Sequence, residues 1–243
     1  MKYLENSALE ALTSTVSCGA IDCLIDLKIE PYSAKMVSSD KRQWKCVDKS
    51  ITWEERQPLS PPDDFGSLPK ASPIGHSARL RHLSERSCSG PEDFDDGLLV
   101  DSISRKTLYD LIRVLNSSYP DYDFTDVKSD AFSLVTNYED VVRLLDSKLS
   151  SCVKDYFAQR DELWNSVDES ICPPECKIYC YKSAFEDDPF SEDGCIWSLT
   201  YIFNNKQLKR LLLLTCRCLT KRNEVDSFGN VWDSDADDDS STD

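Results

Sequence analysis

Cys195, Trp197, Leu199, Tyr201 and Phe203 alternate with Ile196, Ser198, Thr200, Ile202 and Asn204, and the chain runs on through Asn205 and Lys206 to the block Leu211-Leu212-Leu213-Leu214-Thr215-Cys216-Arg217-Cys218. Alternation with period two predicts a strand with one buried face. Asn204-Asn205 predicts a tight hairpin turn, and the residues from Leu208 to Cys218 predict the returning strand. Its leucine run is apolar on both faces, which places it in the middle of a sheet.

Working outward, Cys176, Ile178 and Cys180 alternate with Lys177, Tyr179 and Tyr181, so a further strand precedes the hairpin. Near the N-terminus Ile21, Cys23, Ile25, Leu27 and Ile29 alternate with Asp22, Leu24, Asp26, Lys28 and Glu30. That is a strand, which Pro31 is expected to end or bend. Before it, Ser7 and Glu10 form a capping box ahead of Leu9, Leu12 and Val16 at helical spacing. Ser104 is expected to cap a helix carrying Leu108, Leu111, Ile112 and Leu115 that ends before Pro120. A long helical stripe follows from Glu139 to about Ser170, with a break expected around Phe157 to Asp161.

Between these parts the periodicity disappears. Residues 57–90 contain seven Ser and five Pro. Such a segment buries too little apolar surface to offset its ordering entropy, so it is expected to be a long disordered insertion. The tail from about Lys221 ends in Asp233, Asp235, Asp237, Asp238, Asp239 and Asp243, a like-charge block expected to stay solvated. The expected architecture is α/β of the α+β type. It is a single domain, a mostly antiparallel sheet of about four strands packed by helices. The expected parts are 1–36 (helix and strand of the core), 37–101 (Ser/Pro-rich insertion), 102–220 (rest of the core) and 221–243 (acidic tail).

The 243 residues carry 44 acidic and 28 basic side chains, a net charge of −16. So acidic a surface repels phosphate backbones, which argues against direct nucleic-acid binding and for protein partners. No run of about 18 apolar residues exists, so no membrane span is expected. Met1–Asn6 has no apolar leader segment, and the eleven Cys are an odd number, so reduced thiols in cytosol or nucleus are expected. Only His76 and His82 are present, both in the insertion, and no Gly-rich phosphate loop occurs. We therefore expect no catalytic residues, no metal site and no cofactor.

Three groups of residues still invite a functional reading. Cys172, Cys176 and Cys180 are spaced by four, but zinc sites need a second ligand pair, and Cys176 and Cys180 fit one face of a strand as small hydrophobes. The loop Glu186–Gly194 holds a carboxylate cluster that does not match calcium-loop spacing. It reads as a solvated turn or an acidic recognition loop. Lys206, Lys209 and Arg210 form a small basic tip suited to protein contact. In the insertion, Ser60-Pro61 and Ser72-Pro73 have the form read by proline-directed kinases. Arg79 and Arg81 before Ser84 have the form read by basophilic kinases. Phosphate at Ser60, Ser72 or Ser84 would change the charge of a locally basic segment.

At this point the chain resembles a known family, the Maf-type repressors of RNA polymerase III. The resemblance lies in Met1–Glu5, Tyr32–Lys35, Ser104–Leu108, Tyr119–Phe124, Leu163–Asn165 and Val167–Glu169. It is densest in Glu175-Cys176, Ile178-Tyr179, Tyr181, Asp188–Phe190, Glu192–Gly194, Trp197-Ser198, Asn205-Lys206 and Leu208–Arg210. Ala34 stands where the family usually has Cys, and Cys180 where it has Ser or a similar residue, so neither position is given a required thiol. The resemblance implies a non-enzymatic negative regulator that binds the polymerase. It would impair engagement with the initiation factor containing the TATA-binding protein. Regulatory kinases of nutrient and stress signalling (the TOR pathway among them) would phosphorylate the insertion and shift the protein between nucleus and cytoplasm. We take Asp187, Asp188, Glu192, Asp193, Lys206, Lys209 and Arg210 as contact candidates. A thiol-rich redox scaffold, or a divalent-cation enzyme using the acidic loop, are the alternatives.

Overall fold

The computed structural model describes residues 1–38, 40–42, 44, 56–62, 101–183 and 188–221. Its elements in chain order are β1 (Lys2–Tyr3), α1 (Ser7–Cys18), β2 (Cys23–Ser33), β3 (Arg56–Pro58), β4 (Ser102–Ser104), α2 (Arg105–Ser118), β5 (Phe132–Val135), α3 (Tyr138–Cys152), α4 (Tyr156–Ile171), β6 (Lys177–Tyr181), β7 (Cys195–Asn205) and β8 (Arg210–Thr220).

Six strands form one sheet in the order β1-β2-β8-β7-β6-β5, and β3 pairs with β4 separately. Every neighbouring pair is antiparallel. The leucine run of β8 is indeed central, between β2 and β7, and Leu211, Leu212, Leu213 and Leu214 are fully buried. Each such side chain contributes about 1.5–3 kcal/mol through its burial. The expected class holds, with more strands than the four expected. The missed ones are short: β1 has two residues and β5 four, too few to show a period.

Both faces of the sheet are covered. On one, Ile25, Leu27, Ile29, Leu212, Leu214, Tyr201 and Phe203 pack with Leu9 and Val16 of α1, Leu145 and Leu149 of α3, and Leu163 and Val167 of α4. On the other, Leu211, Leu213, Ile202, Tyr179 and Phe132 pack with Leu108, Leu111 and Leu115 of α2. Ser104 caps α2 as expected, its side chain accepting from the Thr107 N–H.

Several expectations are corrected. The N-cap of α1 is Asn6, whose side chain accepts from Leu9 N–H, not Ser7. Strand β2 continues through Pro31 to Ser33. The Pro31 carbonyl accepts from Leu4 N–H, so the position of its missing N–H faces the two-residue β1 and costs no bond to β8. The long helical stripe breaks at 153–155, earlier than expected, where Asp155 takes a left-handed conformation with φ 54°. Tertiary stitching sets that break: Ile21 N–H donates to Cys152 O and Lys154 N–H to Gly19 O. A Cβ on Gly19 would stand 2.9 Å from Val153 Cγ1, so a larger residue there would force the Val153 side chain to shift.

Within the stretch 37–101, expected to be structureless, residues 56–60 join the fold. β3 pairs with β4, Leu59 is buried, and Ser60 bridges to Ser133. Asp40 is buried too, and pairs with Arg113 of α2 at 2.5 Å. Single apolar or charged anchors of this kind carry no periodic signal.

Candidate protein interaction surface

The acidic turn is built from its aspartate inward. Asp188 is only 3% exposed. Its carboxylate accepts from Phe190 N–H at 2.9 Å, Tyr181 Oη–H at 3.1 Å and Ser191 Oγ–H at 3.1 Å. Burial, and then the adjacent Asp188 carboxylate, push the Tyr181 hydroxyl up, so it remains a donor. Phe190 is thereby turned into the aromatic cluster of Tyr119 and Tyr181. Asp188 is thus a positioning residue, not an exposed contact, and its oxygens are engaged rather than free for a cation. Glu192 accepts from Tyr122 Oη–H and pairs with Arg217 at 3.3 Å. Asp193 is exposed, and Asp187 lies outside the described residues.

Arg217, on β8, locks this turn to the sheet. Its guanidinium donates to Asp26 Oδ2 through Nε (3.0 Å) and Nη2 (2.7 Å) and to Pro189 O at 2.6 Å. It also lies 5.7 Å from the Tyr119 ring centroid. Sequence reasoning missed it because Asp26, Pro189 and Glu192 lie far from it along the chain.

The basic tip sits at the other end of β7. The two expected contact groups therefore do not form one patch, because an eleven-residue strand separates them by roughly 33 Å. The turn is Lys206–Lys209, not Asn204-Asn205, which pair with Leu211 and Arg210 inside the ladder. Asn205 is fully buried and organises the tip: Oδ1 accepts from Gln207 N–H and Leu208 N–H, and Nδ2 donates to Ile171 O. Leu208, expected in a strand, is 42% exposed between the cations. Lys209 has φ 53°, and Arg210 donates to Ser170 O at 3.1 Å. Beside the tip an open cleft of about 600 Å³ is lined by Lys2, Glu5, Glu169 and Arg210 among others. Replacing Asn205 by Ala should cost about 2 kcal/mol in urea unfolding, since two N–H groups and a carbonyl lose their partner. A loss below 0.5 kcal/mol would show that the tip orders itself without Asn205.

Ser60 lies in the fold: its Oγ–H donates to Asp130 O at 2.5 Å and its N–H to Phe132 O. Ser72 and Ser84 lie outside the described residues. Among the described residues no helix is long and apolar enough to cross a membrane.

Cys172, Cys176 and Cys180 are only half-buried. Cys176 Sγ–H donates to Ile171 O and Cys172 O, and burial pushes its thiol up to about 12. Burial likewise pushes Cys218 up to about 12. With so little thiolate at pH 8, both should react with iodoacetamide about a thousandfold more slowly than an ordinary thiol. Peptide-resolved mass spectrometry reads the order directly, with exposed Cys18 among the first to label. Equal rates at Cys18, Cys176 and Cys218 would contradict it.

A family model described as "Maf1 regulator" matches residues 25–215. A curated protein of Dictyostelium discoideum named "Repressor of RNA polymerase III transcription" is 29% identical over 248 residues, covering 95% of this chain and 89% of its own. The Schizosaccharomyces pombe protein "Repressor of RNA polymerase III transcription maf1" is 29% identical over 235 residues, covering 96% and 90%. The crystal structure of citrus MAF1 superposes with a TM-score of 0.55 at 22% identity, over 88% of this chain and 99% of that one. At that identity the likeness speaks for the fold.

Proposed function

The chain belongs to the Maf1 regulator family, and on that premise we propose that it represses RNA polymerase III transcription by binding the polymerase. The observation that carries the reading is a family match over residues 25–215, from β2 through most of β8, with two relatives named as such repressors matched along nearly their full length. The charge of −16 favours basic protein surfaces over DNA. The hairpin tip is the first contact candidate: Leu208 offers an exposed apolar anchor ringed by Lys206, Lys209 and Arg210, held in shape by Asn205. Glu192 and Asp193 are the exposed carboxylates among the described residues of the acidic turn, and Glu192 already pairs with Arg217.

Bound in this way, the protein interferes with the polymerase meeting its TATA-binding-protein-containing initiation factor. Kinases acting on Ser60, Ser72 and Ser84 set its activity and its partition between nucleus and cytoplasm. Ser60 differs from the other two in requirement: its hydroxyl must first leave Asp130 O before a kinase can use it.

The test is capture of purified RNA polymerase III by the unphosphorylated full chain, paired with promoter-directed transcription. Binding with loss of initiation is expected. Lys206→Glu with Lys209→Glu should weaken capture about tenfold or more, and acidic substitution of all three serines should weaken it as well. Folded protein that neither binds nor represses would overturn the reading.

A further inference from the structure

Three cysteines remote in sequence converge at one end of the sheet. Cys23 opens β2, Cys152 closes α3, and Cys218 lies on β8; their sulfurs are all within 4.8 Å of one another. Cys23 and Cys218 are buried and Cys152 is half-buried. We propose that these three thiols form a zinc site that clips α3 to the β2–β8 ladder.

The frame around them is built. β2 and β8 are paired along their whole length, with Ile25 opposite Cys218 and Cys23 opposite Thr220, which turns both sulfurs to the same face. Cys152 is held against that ladder by Ile21 N–H donating to its carbonyl, and the next turn by Lys154 N–H donating to Gly19 O. Zinc–sulfur bonds of about 2.3 Å in a tetrahedron put sulfurs about 3.8 Å apart, so small χ1 adjustments close the present spacing. Three protein ligands leave the fourth position for water on the side of half-buried Cys152.

Charge chooses the ion. Zn²⁺ and three thiols give a [Zn(SR)₃]⁻ centre and release three protons to solvent. Its single negative charge is matched by Lys221, whose ammonium bonds the Ile21 carbonyl and lies close enough to act on Cys23. A monovalent soft ion in the same cradle would leave a charge of −2 facing one lysine. Sequence spacing could not show this site. The only spaced set it offered, Cys172, Cys176 and Cys180, lacks the second ligand pair of a zinc site, and no local spacing rule relates positions 23, 152 and 218.

The experiment uses the reduced full-length chain, stripped with a chelator. Cobalt(II) serves as the spectroscopic probe, followed by zinc displacement. One equivalent should give a thiolate charge-transfer band with tetrahedral d–d absorption, and zinc should raise the thermal midpoint. Cys152→Ser, chosen because Cys152 is half-buried, should weaken binding about a hundredfold or more, while Cys172→Ser leaves it unchanged. Independently of any variant, zinc should slow maleimide labelling of Cys152 in the native chain. Absence of the charge-transfer band, a band unchanged in Cys152→Ser, or labelling of Cys152 indifferent to zinc would each overturn the site and leave three core thiols.

Discussion

A fragment of residues 102–220 should show no cooperative melt. It lacks β2, and with it all eleven register pairs along one edge of β8. It also lacks Leu9, Leu12 and Val16 of α1 and the inward Cys23, Ile25, Leu27 and Ile29 of β2, all buried against the main core. At about 1.5–3 kcal/mol per side chain, seven such losses remove 10 kcal/mol or more. That is comparable to the usual stability of a whole domain, about 5–15 kcal/mol. The fragment would also expose a central, apolar strand as a sheet edge, so it is expected to associate. Far-ultraviolet circular dichroism through a thermal ramp makes the comparison. A sharp, reversible transition from monomeric fragment would mean that the first 36 residues decorate the fold rather than complete it.

Arg217→Ala should cost about 2–3 kcal/mol in urea unfolding. Removing one member of a fully buried ion pair costs about 3–5 kcal/mol. Here the Asp26 side chain is 31% exposed, so solvent takes up part of the loss. The change frees the Pro189 carbonyl and the Glu192 carboxylate as well, so the acidic turn should loosen while the hairpin tip keeps its shape. Arg217→Lys should recover less than half, because a single ammonium cannot place two N–H donors on Asp26 Oδ2 while also reaching Pro189 O. A double-mutant cycle with Asp26→Ala should show coupling of about 1 kcal/mol or more. If Arg217→Ala stays within 0.5 kcal/mol of the parent, the lock is ornamental. The variant also separates the two contact candidates. Lost polymerase capture with an intact hairpin tip would assign the contact to the acidic turn.

The two changes probe different kinds of information in the chain. The β2 residues Ile25, Leu27 and Ile29 and the β8 run Leu211–Leu214 declare their faces locally, because strand geometry turns successive side chains to opposite sides. The Ser104 cap is equally local, one hydroxyl against an N–H three residues on. The family resemblance rests on residues that need no structure to be compared. These were legible in the amino acids alone: the class of fold, the central strand, the order of the longer helices and strands, and the kinship.

What needed the tertiary structure is whatever depends on two distant stretches meeting. Four residues from 132 to 135 become a strand only because β6 offers a ladder. Asp188 looked like a surface charge until Tyr181 and Phe190 closed around it. The turn after β7 falls at 206–209 because Asn205, buried against Ile171, ties the following N–H groups. Arg217 joins residues 26, 189 and 192, and the thiols of 23, 152 and 218 gather at one end of the ladder. The reason is physical: periodicity along a chain records which way each side chain points. Which partner it meets there is settled by pairing and packing between segments, and no single segment contains that.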